Sequence, residues 1–93
     1  MRLRYTVEAR FHIRAIYDYI AERNPKAALE IVSRIRETAE LLKEFPRIGH
    51  AGSDAGTLEW VVRGSPYIIV YELDKDLDEL LILGVFHGSR SRT

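Results

Sequence analysis

Three histidines, eleven arginines and five tyrosines are the side chains of this 93-residue sequence that could move a proton or hold an anion. His87 draws attention first. It is followed by Gly88-Ser89-Arg90-Ser91-Arg92, which gathers an imidazole, two hydroxyls and two guanidiniums into one short stretch. Such a set could hold a phosphate. With Arg63 and the phenol of Tyr67 or Tyr71 close by, it could also supply the acid, the base and the charge stabilisation that phosphodiester cleavage requires. No spacing rule makes Arg63, His87 and Arg90 converge, and an ordinary salt bridge is the alternative for Arg63. His12 falls inside a helical pattern and His50 inside a glycine-rich stretch, so both are expected to be packed or solvated rather than catalytic.

Other chemistries fail on composition or spacing. There is no cysteine, which removes disulfides, thiolate nucleophiles and cysteine-based zinc sites together. No His-x-x-x-His pair or compact His/Asp/Glu set suggests a metal, and no serine sits in a nucleophile-elbow sequence. Gly49-His-Ala-Gly-Ser-Asp-Ala-Gly56 is glycine-rich, but it follows a helix and lacks the Lys and Ser/Thr of a phosphate-binding loop. It reads as a mobile loop, and no cofactor or metal is expected.

The elements that position these residues follow from periodicity. Residues 3–6 are β-prone. Ala9, Ile13, Ile16, Tyr17 and Ile20 then recur on one helical stripe, while Arg10, Arg14, Asp18 and Glu22 trace a polar line at steps of four. Asn24-Pro25 ends that helix near Arg23 and offers a cap and a proline first turn to the next. Ala28, Ile31, Val32, Ile35, Ala39 and Leu42 repeat the stripe until Phe45-Pro46 stops it. Leu58 to Arg63, Tyr67 to Leu73 and Leu80 to Phe86 read as three strands joined by Gly64-Ser65-Pro66 and by an acidic turn within residues 72–79. The expected fold is α+β: an N-terminal strand, a helical hairpin packed on one sheet face, and a three-stranded antiparallel meander, in a single domain over residues 1–93.

Length and charge bound the rest. Ninety-three residues support one small core, and 46 % hydrophobic with 30 % charged residues is globular rather than disordered. Fourteen basic residues balance fourteen acidic ones, so bulk charge gives no support to a generic nucleic-acid or membrane binder. The average hides a dipole: Arg2, Arg4, Arg10, Arg14, Arg90 and Arg92 lie toward the ends, and five carboxylates crowd residues 72–79. No run approaches the ~20 apolar residues of a membrane span, and no signal-peptide pattern opens the chain, so a cytoplasmic protein without a membrane partner is expected. Tyr67 to Tyr71 and Leu80 to Phe86 are apolar at nearly every position. Two helices cover one side of a sheet, so the other side is expected to meet another chain or to line a concave site.

Four segments in order, Ile16-Tyr-Asp-Tyr-Ile-Ala-Glu-Arg-Asn-Pro25, Leu42-Lys-Glu-Phe-Pro-Arg-Ile-Gly49, Trp60-Val-Val-Arg-Gly-Ser-Pro-Tyr-Ile-Ile-Val-Tyr71 and Ile82-Leu-Gly-Val-Phe-His-Gly-Ser-Arg90, resemble the ParE branch of the ParE/RelE toxin superfamily. The resemblance implies the toxin of a type II toxin–antitoxin (plasmid stabilisation) module, neutralised by a ParD-like antitoxin. ParE-type members are associated with inhibition of DNA gyrase, whereas RelE-type members cut messenger RNA on the ribosome. By that analogy Arg63, His87 and Arg90 match the catalytic positions of the ribonuclease branch. That branch usually carries more Lys and Arg on its sheet, whereas Lys here is limited to Lys26, Lys43 and Lys75. Gyrase is therefore the favoured target, and an enzyme is not; a ribosome-dependent endoribonuclease and an inactive antitoxin-binding module are the alternatives. Target contacts are expected from His87, Ser89, Arg90, Arg92, Arg10 and Arg14, antitoxin contacts from Trp60, Val61, Ile69 and Tyr71, and no sequence-specific DNA binding from the toxin alone. One departure is Leu58, where relatives commonly carry Arg.

Overall fold

A computed structural model describes residues 1–89. Strand β1 (Arg2–Tyr5) leads into helix α1 (Val7–Ala21) through Thr6, whose Oγ1 accepts the Ala9 N–H at 3.0 Å as an N-cap. The chain reverses at once. Asn24 N–H donates to Ile20 O, and its Oδ1 accepts the Ala27 N–H at 3.1 Å, opening helix α2 (Pro25–Glu44) with proline at its first turn. Helix α2 buries Ala28, Ile35, Ala39 and Leu42, the stripe expected from spacing.

The sheet has five strands in the order β1-β5-β4-β3-β2. Strands β3 (Leu58–Val61), β4 (Tyr67–Asp74) and β5 (Glu79–His87) form the expected antiparallel meander. Strand β1 pairs parallel with β5, from Arg2 opposite Glu79 to Tyr5 opposite Ile82, so the first strand joins the last. Three details differ from expectation. The stretch read as a mobile loop contains β2 (His50–Ala51), antiparallel to Leu58 and Glu59, in a hairpin closed by Gly52 N–H donating to Thr57 O at 2.9 Å. Arg63 does not end a strand: β3 stops at Val61, and Arg63 enters the turn that Gly64 completes at φ +76°. The acidic turn is shorter, because β4 runs past the expected Leu73 to Asp74 and Glu79 belongs to β5.

Both helices pack on one face. Tyr67, Ile69 and Tyr71 of β4 and Leu80, Ile82 and Val85 of β5 meet Ala9, Ile13, Ile35, Ala39 and Leu42 in the core. The step from Ile82 to Val85 breaks the two-residue alternation because β5 carries a bulge: Val70 pairs with Gly84 and Tyr71 with Ile82, leaving Leu83 unpaired. After the bulge, the inward set changes from even to odd positions. Pairing then leaves Val61, Ile68, Val70, Leu81 and Phe86 on the face away from the helices, of which Val61 is 50 % exposed and Val70 only 6 %. The 52–57 turn shields part of this face, forming a hollow of about 390 Å³ with Val70, Leu83 and Phe86. Glu79 lies on the same face as a buried carboxylate, held by Arg2 at 3.1 Å and Arg4 at 3.4 Å. Among the described residues, no helix is long and apolar enough to cross a membrane.

Candidate functional site

The His87 corner is built by the end of β5 against the start of β4. Tyr67 and His87 are register partners, and their rings meet edge to face at 5.5 Å. Gly88 N–H donates to Pro66 O at 2.6 Å, turning the chain so that Ser89 N–H donates to His87 Nδ1 at 3.2 Å while Ser89 Oγ lies 2.7 Å from the same nitrogen. Nδ1 is thus an acceptor, which puts the proton of the neutral ring on Nε2. His87 and Ser89 come together as the sequence suggests; Arg90 and Arg92 lie outside the described residues.

Arg63 does not complete this group. It lines a groove of about 750 Å³ along α2 and β3, with Arg34, Glu37, Thr38, Leu41, Trp60 and Val61, and its carbonyl accepts from Arg34 Nη1 at 3.2 Å. Among the described residues, no hydrogen bond joins Arg63 to His87. Among the described residues the geometry therefore supplies one imidazole, turned by Ser89, without a second charged group fixed beside it.

The four residues assigned to antitoxin contact divide into two pairs. Trp60 and Val61 border the α2–β3 groove, and Val61 is half exposed. Ile69 and Tyr71 are corrected: both are fully buried beneath the helices and present no free surface. Tyr71 instead has a structural task. Its hydroxyl donates to Pro46 O at 2.8 Å and accepts the Gly49 N–H at 3.1 Å, fastening the segment after α2 to the sheet. Burial raises its pKa, and the Gly49 hydrogen bond partly opposes that.

A second site was not legible in the sequence. Arg10 and Arg14 of α1 and Arg36 of α2 rim a cleft of about 520 Å³ whose walls are Tyr5, Ile13, Tyr17 and Val32. Arg14 Nε pairs with Asp18 at 3.2 Å, and the Arg36 guanidinium lies 5.8 Å from the Tyr5 ring centroid. Burial raises the Tyr5 pKa, with Arg36 lowering and Glu40 adding to it. The steps of four from Arg10 to Arg14 were visible, but Tyr5 and Arg36 reach the cleft only through the fold. The remaining histidines serve the scaffold: His12 accepts a backbone hydrogen bond from β5, and His50 lies exposed on β2 with Nδ1 3.3 Å from Ala51 O.

Comparison with known proteins adds to this geometry. Residues 3–92 match the family described as ParE toxin of the type II toxin–antitoxin system parDE. Y4kP of Sinorhizobium fredii, provisionally named a toxin, is 34 % identical over 82 residues, covering 88 % of this chain and 85 % of its own. Among solved structures, the chromosomal ParDE system of P. aeruginosa superposes with a TM-score of 0.84 at 23 % identity, over 94 % of this chain and 95 % of that one. The RelBE2 toxin–antitoxin complex of Mycobacterium tuberculosis gives 0.64 at 26 % identity, over 92 % and 95 %. Isolated RelE of E. coli gives 0.69 at 16 %, over 98 % and 87 %.

Proposed function

Because the chain belongs to the ParE toxin family of type II toxin–antitoxin systems, we propose that it inhibits DNA gyrase in the cytoplasm and is held inactive by a ParD-like antitoxin. The observation that carries the choice of target is the sheet face away from the helices. Ribonuclease action needs positive charge fixed where the phosphodiester is cleaved. Among the described residues that face offers Val61, Ile68, Leu81 and Phe86 with Glu72 among them, and its arginines Arg2 and Arg4 are paired with Glu79. A surface of that make-up suits a protein partner better than a nucleic acid.

In this reading the target meets His87, Ser89, Arg10 and Arg14, with Arg90 and Arg92 as contacts from beyond the described residues. The antitoxin lies along Trp60 and Val61 and continues over the apolar face. The relatives of known structure supply the analogy, since two are described as ParDE and RelBE2 toxin–antitoxin assemblies. One observation favours the ribonuclease alternative: Ser89 holds His87 Nδ1 as an acceptor, which leaves the Nε2–H to donate a hydrogen bond to a phosphate oxygen. The deciding experiment adds antitoxin-free protein to gyrase, relaxed plasmid and ATP. Loss of supercoiling, with or without cleaved plasmid, supports the gyrase reading. No effect at large molar excess, together with cleavage of message on programmed ribosomes, replaces it with the ribonuclease.

A further inference from the structure

The arginine-rimmed cleft and the hairpin tip between β4 and β5 are complementary in charge and in shape of side chain. Within the cleft, Arg10 and Arg36 make no ion pair among the described residues, and Arg14 has only exposed Asp18 of its own helix. Ile13 and Val32 make an apolar wall below the guanidiniums. The best ligand for such a site is an aliphatic side chain flanked by carboxylates. A nucleic-acid backbone fits less well, because its repeated charges would run against Asp18 and against Glu40, which is close enough to act on Tyr5.

The tip carries that pattern. Leu77 is 60 % exposed between Asp76 and Asp78. The turn is fixed: Asp74 Oδ1 accepts the Leu77 N–H at 3.1 Å, Asp78 adopts φ +53°, and its carboxylate lies 3.4 Å from the N-terminal ammonium. Asp76 has no ion pair among the described residues. The leucine is therefore presented to solvent by a braced turn, at the cost of exposing an apolar side chain that the fold itself does not use.

We propose that the tip of one copy seats in the cleft of a second copy, with Leu77 against Ile13 and Val32 and Asp76 among Arg10, Arg14 and Arg36. If both copies exchange tips the pair is closed; if only one does, the contact propagates. A contact of this size falls well short of the ~1,200 Å² of a standing interface, so the association is weak and salt-sensitive. It also covers Arg10 and Arg14, so an associated copy has two of its proposed target contacts occupied.

Sedimentation equilibrium of the purified full chain tests this, at about 0.05 M and about 0.5 M salt. Reversible association at the lower salt, weakened about tenfold or more at the higher salt and again by Leu77→Ser, is expected. Asp76→Lys and Arg36→Glu should each abolish self-association, and an equimolar mixture of the two variants should restore it, because the new Lys then faces the new Glu. Far-ultraviolet spectra and thermal midpoints matching the parent show that each variant folds. A chain that stays monomeric at low salt and high concentration overturns the proposal. So does association that Leu77→Ser and Asp76→Lys leave unchanged. Weakened capture of a cognate antitoxin by Arg36→Glu, with no self-association by the parent, assigns the cleft to the antitoxin and also overturns it.

Discussion

His12 Nδ1 on α1 accepts the backbone N–H of Val85 on β5 at 3.2 Å, so a helix side chain completes a sheet hydrogen-bond ladder. The reason lies in where β1 stops. Tyr5 is its last residue, opposite Ile82, and past that point β5 has no strand on the side away from β4. Thr6 takes the next two acceptors, donating its N–H to Ile82 O at 3.0 Å and its hydroxyl to Leu83 O at 3.1 Å; His12 then takes the following donor. The Phe86 ring lies 4.8 Å from the imidazole, and a side chain at Gly84 would collide with both rings. An otherwise bare sheet edge is thus closed by α1.

Removing that acceptor should be costly. Val85 is only 3 % exposed, so His12→Ala leaves a buried N–H unsatisfied and should destabilise the fold by about 1–3 kcal/mol. His12→Asn places an oxygen where Nδ1 stood and should recover part of the loss. Chemical denaturation of the three proteins measures it, and equal midpoints for Ala and Asn would refute the hydrogen-bond account.

Tyr71→Phe should remove two hydrogen bonds and leave Pro46 O and the Gly49 N–H without their partner, at a cost of about 1–2 kcal/mol. Gly49→Ala should be worse, since its Cβ would land on the Tyr71 hydroxyl and 3.0 Å from Glu59 O. The thermal midpoints should fall in the order parent, Tyr71→Phe, Gly49→Ala.

Alkaline pH should act through the same tyrosine and through Tyr5. Burial raises both phenols above their ordinary 10.0, so the folded state keeps their protons when the unfolded chain has begun to lose them. Their contribution is complete below the unfolded pKa and disappears as pH rises through the folded one. Stability measured from about pH 8 to about pH 11 should decline on the alkaline side, and the decline should be shallower in Tyr71→Phe. An identical slope in the variant would remove Tyr71 as a cause.

Glu79→Ala should loosen β1. Arg2 and Arg4 are mostly exposed, so each ion pair alone contributes little, but the carboxylate is buried and joins both to β5. A loss of about 1–2 kcal/mol is expected, against less than about 1 kcal/mol for Arg2→Ala. Hydrogen exchange should rise first at residues 2–5 and at their partners on β5.

Charge reversal at Arg10 and Arg14 should reduce gyrase inhibition about tenfold or more, whereas His87→Ala should cost no more than one ordinary contact. The supercoiling assay reads both. A drop of several orders of magnitude with His87→Ala would indicate acid–base chemistry instead.

The helical hairpin was legible because Ala9, Ile13, Ala28 and Ile35 belong to unbroken stripes, and because Asn24-Pro25 is both an end and a beginning. Strand β5 was legible as a strand but not in its facing. Leu80 to Phe86 is apolar throughout, and nothing in that run marks Leu83 as the residue where the inward phase changes. The β1–β5 partnership has no local signature, since Leu3 and Leu80 meet only when the hairpin has carried the chain across the sheet. The same limit misplaced Ile69 and Tyr71: alternation separates two faces without telling which one the helices will cover. The cleft escaped notice because its residues come from β1, α1 and α2, and closeness in space is what makes them a site.

The parallel pairing of β1 with β5 also sets the order in which the molecule can be finished. Residues 2–5 leave the ribosome well before their partners at 79–82 are made. Until β5 is made strand β1 therefore has no neighbour, and the helical hairpin, whose contacts are local, can assemble ahead of it. The complete sheet becomes available only once β5 has emerged. A nascent chain with its edge unpaired is a different object from the finished protein, and the interval between the two is a period in which a partner already present in the cell can reach it first.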